Sequence, residues 1–214
     1  MMRLHGYFRS STSYRVRIAL NLKGLEYETV PVNLLKGEQR GEAFCALNGF
    51  ASVPALEVEG RTYTQSLAIL EWLDERHPER PLLPRRIEDR FVARQLASAI
   101  ATELHAPLNL SVLQYLKRDL GQSPDAIDGW YHHWLDRTLA PIEASLARRA
   151  TGDFLFDAPG LFEAVLIPQL YNAARRGFDM TVMPHLTRIE AACLSLPAFV
   201  AAHPDNQPDA PETP

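Results

Sequence analysis

The chain has 214 residues, of which 46% are hydrophobic and 22% are charged, and its formal net charge at pH 7 is −4. This composition is typical of a globular protein, and the negative charge argues against a general affinity for nucleic acid or anionic membranes. No apolar run approaches the roughly 20 residues that span a bilayer, and the first residues lack the apolar core of a secretory signal, so we expect a cytoplasmic protein. Its two cysteines, Cys45 and Cys193, stand far apart and in no metal-binding motif, which predicts neither a disulfide framework nor a metal site.

The N-terminal third alternates short strand-like and helix-like segments. Met2–Gly6 is predicted to be a strand, and a helix over Thr12–Lys23 follows it, with Ser11 as the N-cap and Gly24 at the end. The alternating pattern of Tyr27–Val32 predicts a second strand.

The next segments complete a small mixed sheet. Gln39–Leu47 is a weak helix candidate, and two short strands, Ala55–Val58 and Thr62–Tyr63, flank a turn at Glu59-Gly60-Arg61. A stronger helix is predicted over Ser66–His77. A strand–helix–strand unit followed by a hairpin places a parallel strand pair beside an antiparallel one in the same sheet.

Beyond residue 82, every segment long enough to classify is predicted to be helical. A short connector, PLLP, precedes these helices, and Pro107 is expected to kink or split the first of them. The helix candidates are residues 86–118, 124–149, 161–176 and 183–195. The polar, proline-rich tail His203–Pro214 is expected to be extended and poorly packed. The predicted division of the chain is an α/β domain over residues 1–81, a linker over 82–88 and an all-helical domain over 89–214.

Hydroxyl side chains cluster where the first strand ends and the first helix begins. Ser10, Ser11 and Thr12 stand there, and the free N–H groups and partial positive charge of a helix N-terminus suit an anion such as a thiolate or a carboxylate. Serines at this place often serve only as caps, so both interpretations stay open on these residues alone. Arg15 and Arg17, which follow, fit a solvated helix face equally well.

Two further features accompany this cluster. Val53-Pro54 precedes a predicted strand, an unusual place for proline in a sheet, and a cis peptide bond there would turn the Val53 backbone outward to pair with an extended peptide ligand. Gln65-Ser66 begins a helix and is either a second anion site or a plain cap. The three features together are more specific than any one of them.

The stretch SSTSYRVRIAL, which begins at Ser10, resembles the signature SSCSWRVRIAL of zeta-class glutathione transferases, a family that includes maleylacetoacetate and maleylpyruvate isomerases. The similarity continues through VPAL, QSLAILEWLDE and PLLP into NLSVL, LIPQ and HPDNQPDAP, and thus covers nearly the whole chain. The resemblance implies a thioredoxin-like N-terminal domain with a mixed sheet, an all-helical C-terminal domain, glutathione as cofactor and a homodimer.

The resemblance also assigns roles to individual residues. Ser10 would face the glutathione sulfur, with Ser11 and Thr12 close by, and their hydrogen bonds together with the helix dipole would favour thiolate over thiol. At the Val53-Pro54 bond, the Val53 backbone would pair with the cysteinyl part of glutathione. The remaining implied glutathione contacts are Gln39, then Gln65 and Ser66 at the γ-glutamyl carboxylate, and His105 and Asn109 in the helical domain.

Arg9 and Arg175 stand at positions that in the family meet the carboxylates of an acidic, unsaturated diketo acid. The planar guanidinium fork suits that task, while a surface salt bridge is the alternative for Arg175. Tyr7 is a second candidate for the activating hydroxyl, because other glutathione transferase classes use an N-terminal tyrosine. The surrounding letters follow the serine-type signature, which favours Ser10 and makes Tyr7 a packing residue.

The chain departs from the family pattern at several positions. Thr12 replaces a cysteine and cannot act as a thiolate, although members that resemble maleylpyruvate isomerases also carry threonine there. Tyr14 replaces tryptophan, and Gly49 stands where proline is usual, which predicts a looser loop. Gly160 offers no side-chain acceptor as the N-cap of a central helix. Cys45 is predicted to be buried and inert.

The implied activity is the glutathione-dependent cis–trans isomerisation of a small, acidic maleyl-type diketo acid, maleylacetoacetate or maleylpyruvate. One alternative is a glutathione transferase or reductive dehalogenase acting on halogenated acids. An alternative of another class is a non-catalytic binding protein of the same fold. The altered Thr12, Gly49 and Gly160 favour this last hypothesis. The intact Ser10, Val53-Pro54 and Gln65-Ser66 argue against it.

Overall fold

The computed structural model describes residues 1–211, which form two compact units. The first unit contains Met1–Leu83 together with residues 194–211, and the second is Pro84–Cys193. The α-helices of the described residues are α1 (Ser11–Lys23), α2 (Glu42–Leu47), α3 (Ser66–Arg76), α4 (Ile87–Ala99), α5 (Leu110–Arg118), α6 (Pro124–Arg149), α7 (Leu161–Arg175), α8 (Pro184–Leu194) and α9 (Pro197–Ala202).

A four-stranded mixed sheet lies in the first unit, as the sequence predicts. β1 runs parallel to β2 and antiparallel to β3, while β3 and β4 form a hairpin, which gives the order β2-β1-β3-β4. Glu59 and Gly60 in the hairpin turn have φ values of 51° and 76°, the left-handed conformation that a two-residue turn requires and that glycine adopts without steric cost. The strands are β1 (Met2–Gly6), β2 (Tyr27–Pro31), β3 (Ala55–Val58) and β4 (Arg61–Thr64).

The first helix begins one residue earlier than predicted. Ser10, rather than Ser11, is the N-cap of α1: its backbone is extended, with φ −67° and ψ 119°, and its Oγ accepts a hydrogen bond from Ser13 N at 3.2 Å. Several hydroxyl residues in a row all suit an N-cap, so only the backbone geometry decides which of them takes the position.

Arg15 and Arg17 on α1 are buried, with 1% and 2% of their surface exposed, so the solvated helix face proposed for them is wrong. The Arg17 guanidinium donates to two backbone carbonyls, Phe8 O and Ala202 O, both at 2.9 Å. Lys23 at the end of the same helix is also buried, and it forms an ion pair with Asp74 at 3.1 Å. Helix α1 is therefore covered on its polar side as well, which its own periodicity does not reveal.

The C-terminal segment packs within the first unit, which corrects two predictions. The helical domain does not extend over the whole of 89–214, because α9 packs against α1 and accepts the Arg17 hydrogen bond at its last residue. The tail is not poorly packed where it is described: Gln207 is buried, and its Nε2 donates to Ala201 O and His203 O at 2.9 Å. Residues 212–214 of the predicted tail lie outside the described residues.

The second unit is built from α4 to α8. A π-helix over Ile100–His105 continues α4, and the chain then turns at Pro107 before α5 begins, so the predicted break at this proline is confirmed. Trp130 on α6 donates from Nε1 to Pro107 O at 3.0 Å. Every residue of α7 from Leu161 to Leu170 is buried, which makes this helix the centre of the unit.

The N-cap of α7 is Gly160, which has no side-chain acceptor, as expected. The carboxylate of Glu163 compensates in part, because it accepts hydrogen bonds from Gly160 N at 2.8 Å and Leu155 N at 2.7 Å. Burial, with 2% of the residue exposed, raises the pKa of this carboxyl, and the backbone hydrogen bonds oppose that shift.

Among the described residues, no helix is long and apolar enough to cross a bilayer, and no three His, Cys, Asp or Glu side chains are grouped to hold a metal ion. Cys45 and Cys193 are free thiols. Cys193 is buried, whereas Cys45 is only half-buried and its Sγ donates to Gln39 O at 3.6 Å, so the prediction that Cys45 is fully buried is wrong.

Candidate active site

Three predicted site residues form a hydrogen-bonded chain at the start of α1. Ser10 Oγ and Thr12 Oγ1 lie 2.9 Å apart, and Thr12 Oγ1 donates to Val53 O at 2.9 Å. Because the single hydroxyl proton of Thr12 goes to the carbonyl, the proton between the two hydroxyls belongs to Ser10. Ser10 is therefore a donor whose proton can turn to a nearby anion by rotation of one bond.

The start of α1 is suited to negative charge. Its first turn contains no acidic residue, and Ser10 and Thr12 are both partly exposed, whereas Ser11 is buried. The N–H groups at this end carry partial positive charge that adds to the Ser10 hydroxyl. A thiol placed beside Ser10 would thus ionise below its usual pKa of about 8.5.

The Val53-Pro54 peptide bond is cis, as predicted. Val53 is buried, and its carbonyl accepts the Thr12 hydroxyl, while no hydrogen bond of its N–H is formed within residues 1–211. The backbone of Val53 thus retains a donor for an extended ligand, and its carbonyl has a second lone pair.

Gln65 and Ser66 stand at the start of α3. Gln65 has φ 67° and ψ 107°, a conformation that non-glycine residues adopt rarely and that is enriched at functional sites. Its side chain forms no cap. Ser66 is buried, and its Oγ accepts a hydrogen bond from Arg15 Nη1 at 3.3 Å. The polar side of α1 is thereby joined to the start of α3.

Three other predicted residues of the first unit lie apart from these hydrogen bonds. Gln39 is buried in a short 3-10 helix, and its Oε1 has no hydrogen-bond partner among the described residues. Arg9 is half-buried, with its guanidinium 5.5 Å from the centre of the Phe8 ring. Tyr7 is buried and packs edge-on against Phe8, in a cluster with Val53, which agrees with a packing role.

His105 and Asn109 belong to the second unit and contact each other. Asn109 caps α5 by accepting from Ser111 N at 3.0 Å, which leaves its Nδ2 to face His105 Nε2 at 3.4 Å. His105 Nδ1 faces the amide nitrogen of the buried Gln169 at 3.3 Å, and because an amide nitrogen only donates, a neutral ring can accept at just one of its two nitrogens. His105 is therefore held between two amides.

Arg175 and Arg176 end α7 and its following turn, and they differ in their partners. Arg176 forms an ion pair with Asp128 at 2.9 Å and lies over the Tyr131 ring. Arg175 lies 5.8 Å from the centre of the Tyr171 ring, and it has no salt bridge among the described residues. The surface salt bridge considered for Arg175 is formed by its neighbour instead.

Comparison with known proteins decides the family. A family model described as "Glutathione S-transferase, N-terminal domain" matches residues 9–76. The chain is 42% identical to the maleylacetoacetate isomerase of Pseudomonas aeruginosa over 213 residues, which cover 98% of this chain and 99% of that protein. The holo structure of maleylpyruvate isomerase, a bacterial zeta-class glutathione S-transferase, matches with a TM-score of 0.95 and 39% identity, covering 98% of this chain and all of that one (100%). The chain belongs to the zeta class of glutathione transferases.

A third relative contains a ligand of direct interest. The maleylacetoacetate isomerase of Anaeromyxobacter dehalogenans, with dicarboxyethyl glutathione and citrate bound in its active site, is 44% identical to this chain. The match has a TM-score of 0.87 and covers 99% of this chain and 98% of that one.

Some of the predicted site residues are joined directly to one another. Hydrogen bonds join Ser10, Thr12 and Val53, and a separate one links Ser66 to α1. No hydrogen bond within the described residues joins Arg9 or Gln39 to them. The contacts of all these residues with glutathione stay predictions.

Sequence reasoning missed three residues that support the zeta-class site residues. Arg15 donates a hydrogen bond to Ser66, and Gln169 faces His105. Asp209 Oδ2 accepts a hydrogen bond from Phe8 N at 2.9 Å. The signal for Arg15 was its place beside the apolar residues Val16, Ile18 and Leu20 of α1. Asp209 carried no such signal.

Proposed function

We propose that this protein is a glutathione-dependent cis–trans isomerase of maleyl-type diketo acids, with maleylacetoacetate and maleylpyruvate as the candidate substrates. The observation that carries the proposal is the Ser10 hydroxyl, which caps α1 and whose proton can turn from Thr12 to an anion at the start of this helix. Relatives that align with nearly the whole chain are named maleylacetoacetate isomerase and maleylpyruvate isomerase.

The residues of the first unit fit glutathione. The start of α3 has no side-chain cap and no acidic residue in its first turn, and the Arg15 charge beside it has no carboxylate partner among the described residues. Gln65 and Ser66 would hold the γ-glutamyl carboxylate there, and the Val53 backbone would pair with the cysteinyl part. When bound, glutathione supplies a thiol that adds reversibly to an activated double bond and so permits rotation about it.

Ser10 would act by holding the sulfur in its anionic form. Its hydroxyl donates to the thiolate, and the N-terminus of α1 adds a partial positive charge at the same place. The Thr12 hydroxyl would keep Ser10 in position. Thr12 itself carries no thiol, so the proposed mechanism has no step that uses a protein thiol at this position.

Arg9 and Arg175 would bind the two carboxylates of the substrate. Among the described residues, each guanidinium contacts an aromatic ring and forms no salt bridge, so its N–H groups are available to carboxylate oxygens. The dicarboxyethyl group bound with glutathione in the relative from Anaeromyxobacter dehalogenans is chemically similar to such a substrate.

The proposal includes a homodimer in the cytoplasm. Ile87 and Phe91 stand one turn apart on α4, and both are exposed, at 75% and 66%. In the proposed dimer, a second copy of the chain would cover these two side chains and remove them from water. Light scattering at micromolar concentration tests this, and replacement of Phe91 by Glu would give monomers.

The assay follows the ultraviolet absorbance of maleylpyruvate and of maleylacetoacetate, with and without glutathione, coupled to a hydrolase specific for the fumaryl product. We expect conversion of at least one compound only when glutathione is present, and a loss of at least about tenfold in kcat/KM for Ser10→Ala. If neither compound is converted while glutathione binds, the isomerase proposal fails. Dehalogenation or a binding role then takes its place.

A further inference from the structure

Arg15 is a buried cation without a counterion in the described chain. Only 1% of the residue is exposed, and its Nη1 donates a hydrogen bond to Ser66 Oγ at 3.3 Å. Its Nε and Nη2 are buried and have no hydrogen-bond partner within residues 1–211. Burial lowers the pKa of the guanidinium to about 9, with no compensating acidic neighbour. A buried charge is costly unless an anion or several acceptors accompany it.

The hydrogen bond from Arg15 fixes the donor and acceptor roles of the Ser66 hydroxyl. A serine hydroxyl can accept or donate, but a guanidinium can only donate. Ser66 Oγ therefore accepts from Arg15, and its own proton is left to be donated to another group. A hydroxyl held in this way is a ready donor to a carboxylate at the start of α3.

The start of α3 adds a second positive feature at the same place. The helix has 11 residues, its N-cap residue Gln65 provides no side-chain acceptor, and its first turn has no Asp or Glu. The partial positive charge of the helix N-terminus and the Arg15 guanidinium are thus close together. Among the described residues, no carboxylate neutralises them. Two like charges in a buried place favour the binding of an anion.

We propose that Arg15 is a positioning residue for a ligand carboxylate that binds at the start of α3. It acts through Ser66, by orienting that hydroxyl as a donor and by adding positive charge behind it. The carboxylate is the α-carboxylate of the γ-glutamyl group of glutathione, so this inference rests on the proposed function. Because Nε and Nη2 are buried, the ligand carboxylate contacts Ser66 in this proposal, and Arg15 acts from behind that hydroxyl.

The test compares two ligands that differ in this carboxylate alone. Glutathione and γ-aminobutyryl-cysteinylglycine, which lacks the α-carboxylate, are titrated calorimetrically into the full-length protein, and the ratio of their dissociation constants is the readout. We expect the wild type to bind glutathione at least about tenfold more tightly. A general loss of structure weakens both ligands, whereas loss of the carboxylate site changes the ratio.

Three variants give the ratio its meaning. Arg15→Met is expected to lower the preference for glutathione about tenfold. Ser66→Ala should lower this preference as well. The double variant should be no less selective than Ser66→Ala, because Arg15 acts through that hydroxyl. Arg17→Met is the matched control: it removes an equally buried guanidinium from α1, one that binds backbone carbonyls, and it should leave the ratio unchanged.

The outcomes separate this inference from the proposed function. If the wild type binds both ligands equally, or if Ser66→Ala leaves the ratio unchanged, the role of Arg15 is overturned while glutathione binding stands. An unchanged ratio in Arg15→Met has the same meaning. If Arg15→Met does not fold, Arg15→Lys and Ser66→Ala still decide, since Lys keeps a charge and should retain part of the preference. If glutathione does not bind at all, the proposed function fails first.

Discussion

The carboxylate of Asp209 accepts a hydrogen bond from Phe8 N at 2.9 Å and so joins residues 201 positions apart. The Phe8 carbonyl is held from the other side by Arg17 Nη2, also at 2.9 Å. The backbone N–H and C=O of Phe8, two residues before Ser10, are thus both held by tertiary hydrogen bonds. The tail and α1 together hold the loop that presents the Ser10 hydroxyl.

Replacement of Asp209 by Ala should therefore weaken thiolate formation at a distance. The Phe8 N–H would lose a charge-assisted hydrogen bond, and the Ser10 loop would become less well placed. We expect kcat/KM to fall about tenfold and the pKa of the bound glutathione thiol, followed by thiolate absorbance near 240 nm, to rise. Asp205→Ala removes an exposed charge of the same tail and is the control. An unchanged thiol pKa in Asp209→Ala would contradict this role.

Replacement of Thr12 by Val should disturb Ser10 and Val53 together. Valine keeps the shape of threonine but cannot bridge the Ser10 hydroxyl and the Val53 carbonyl. We expect a loss of about 1 kcal/mol in the free energy of unfolding, measured by chemical denaturation, and weaker glutathione binding measured by calorimetry. Thr12→Ser retains the hydroxyl and should behave as the wild type. Equal effects of Val and Ser would show that the hydroxyl is not responsible.

Arg175 and Arg176 form a matched pair for testing substrate binding. Arg176→Ala breaks an exposed ion pair with Asp128, and such pairs contribute about 0–1 kcal/mol, so stability and kcat/KM should change little. Arg175→Ala should instead raise KM for the diketo acid between about 10- and 100-fold, because it removes a charge-assisted hydrogen bond to a carboxylate. Steady-state kinetics at saturating glutathione make this comparison. The reverse pattern would assign the substrate carboxylate to Arg176.

The buried carboxyl of Glu163 should make stability depend on pH in a defined direction. Burial raises its pKa in the folded protein above the unfolded value of about 4.3, so the folded state binds the proton more tightly. Its contribution to stability is complete below the unfolded pKa and is lost as the pH rises through the folded pKa.

Denaturant unfolding between pH 4 and 8 tests this contribution. The stability difference between wild type and Glu163→Gln should shift in favour of the variant as the pH rises through that window, and then become constant. Glu163→Ala should be destabilised at all pH values by about 1–3 kcal/mol, because Leu155 N and Gly160 N lose a buried acceptor. A difference that does not vary with pH would mean that Glu163 has the same pKa in both states.

The local architecture followed from the sequence because its signals are local. The strand β1, the end of α1 at Gly24 and the break at Pro107 depend on periodicity and on backbone preferences of single residues, and the structure agrees with all three. The serine cluster, Val53-Pro54 and Gln65-Ser66 were recognisable for the same reason. Each motif lies within a few neighbouring residues, where its chemistry can be identified without knowledge of the fold.

Tertiary structure decided which of these residues act together. Ser10 rather than Ser11 caps α1, and Arg15 is buried beside Ser66 rather than solvated. The tail packs because Asp209 finds a backbone donor near the other end of the chain. Arg15 and Ser66 lie 51 positions apart in the sequence, and Phe8 and Asp209 lie 201 positions apart. Their hydrogen bonds depend on distances in the folded protein, which no local sequence pattern contains.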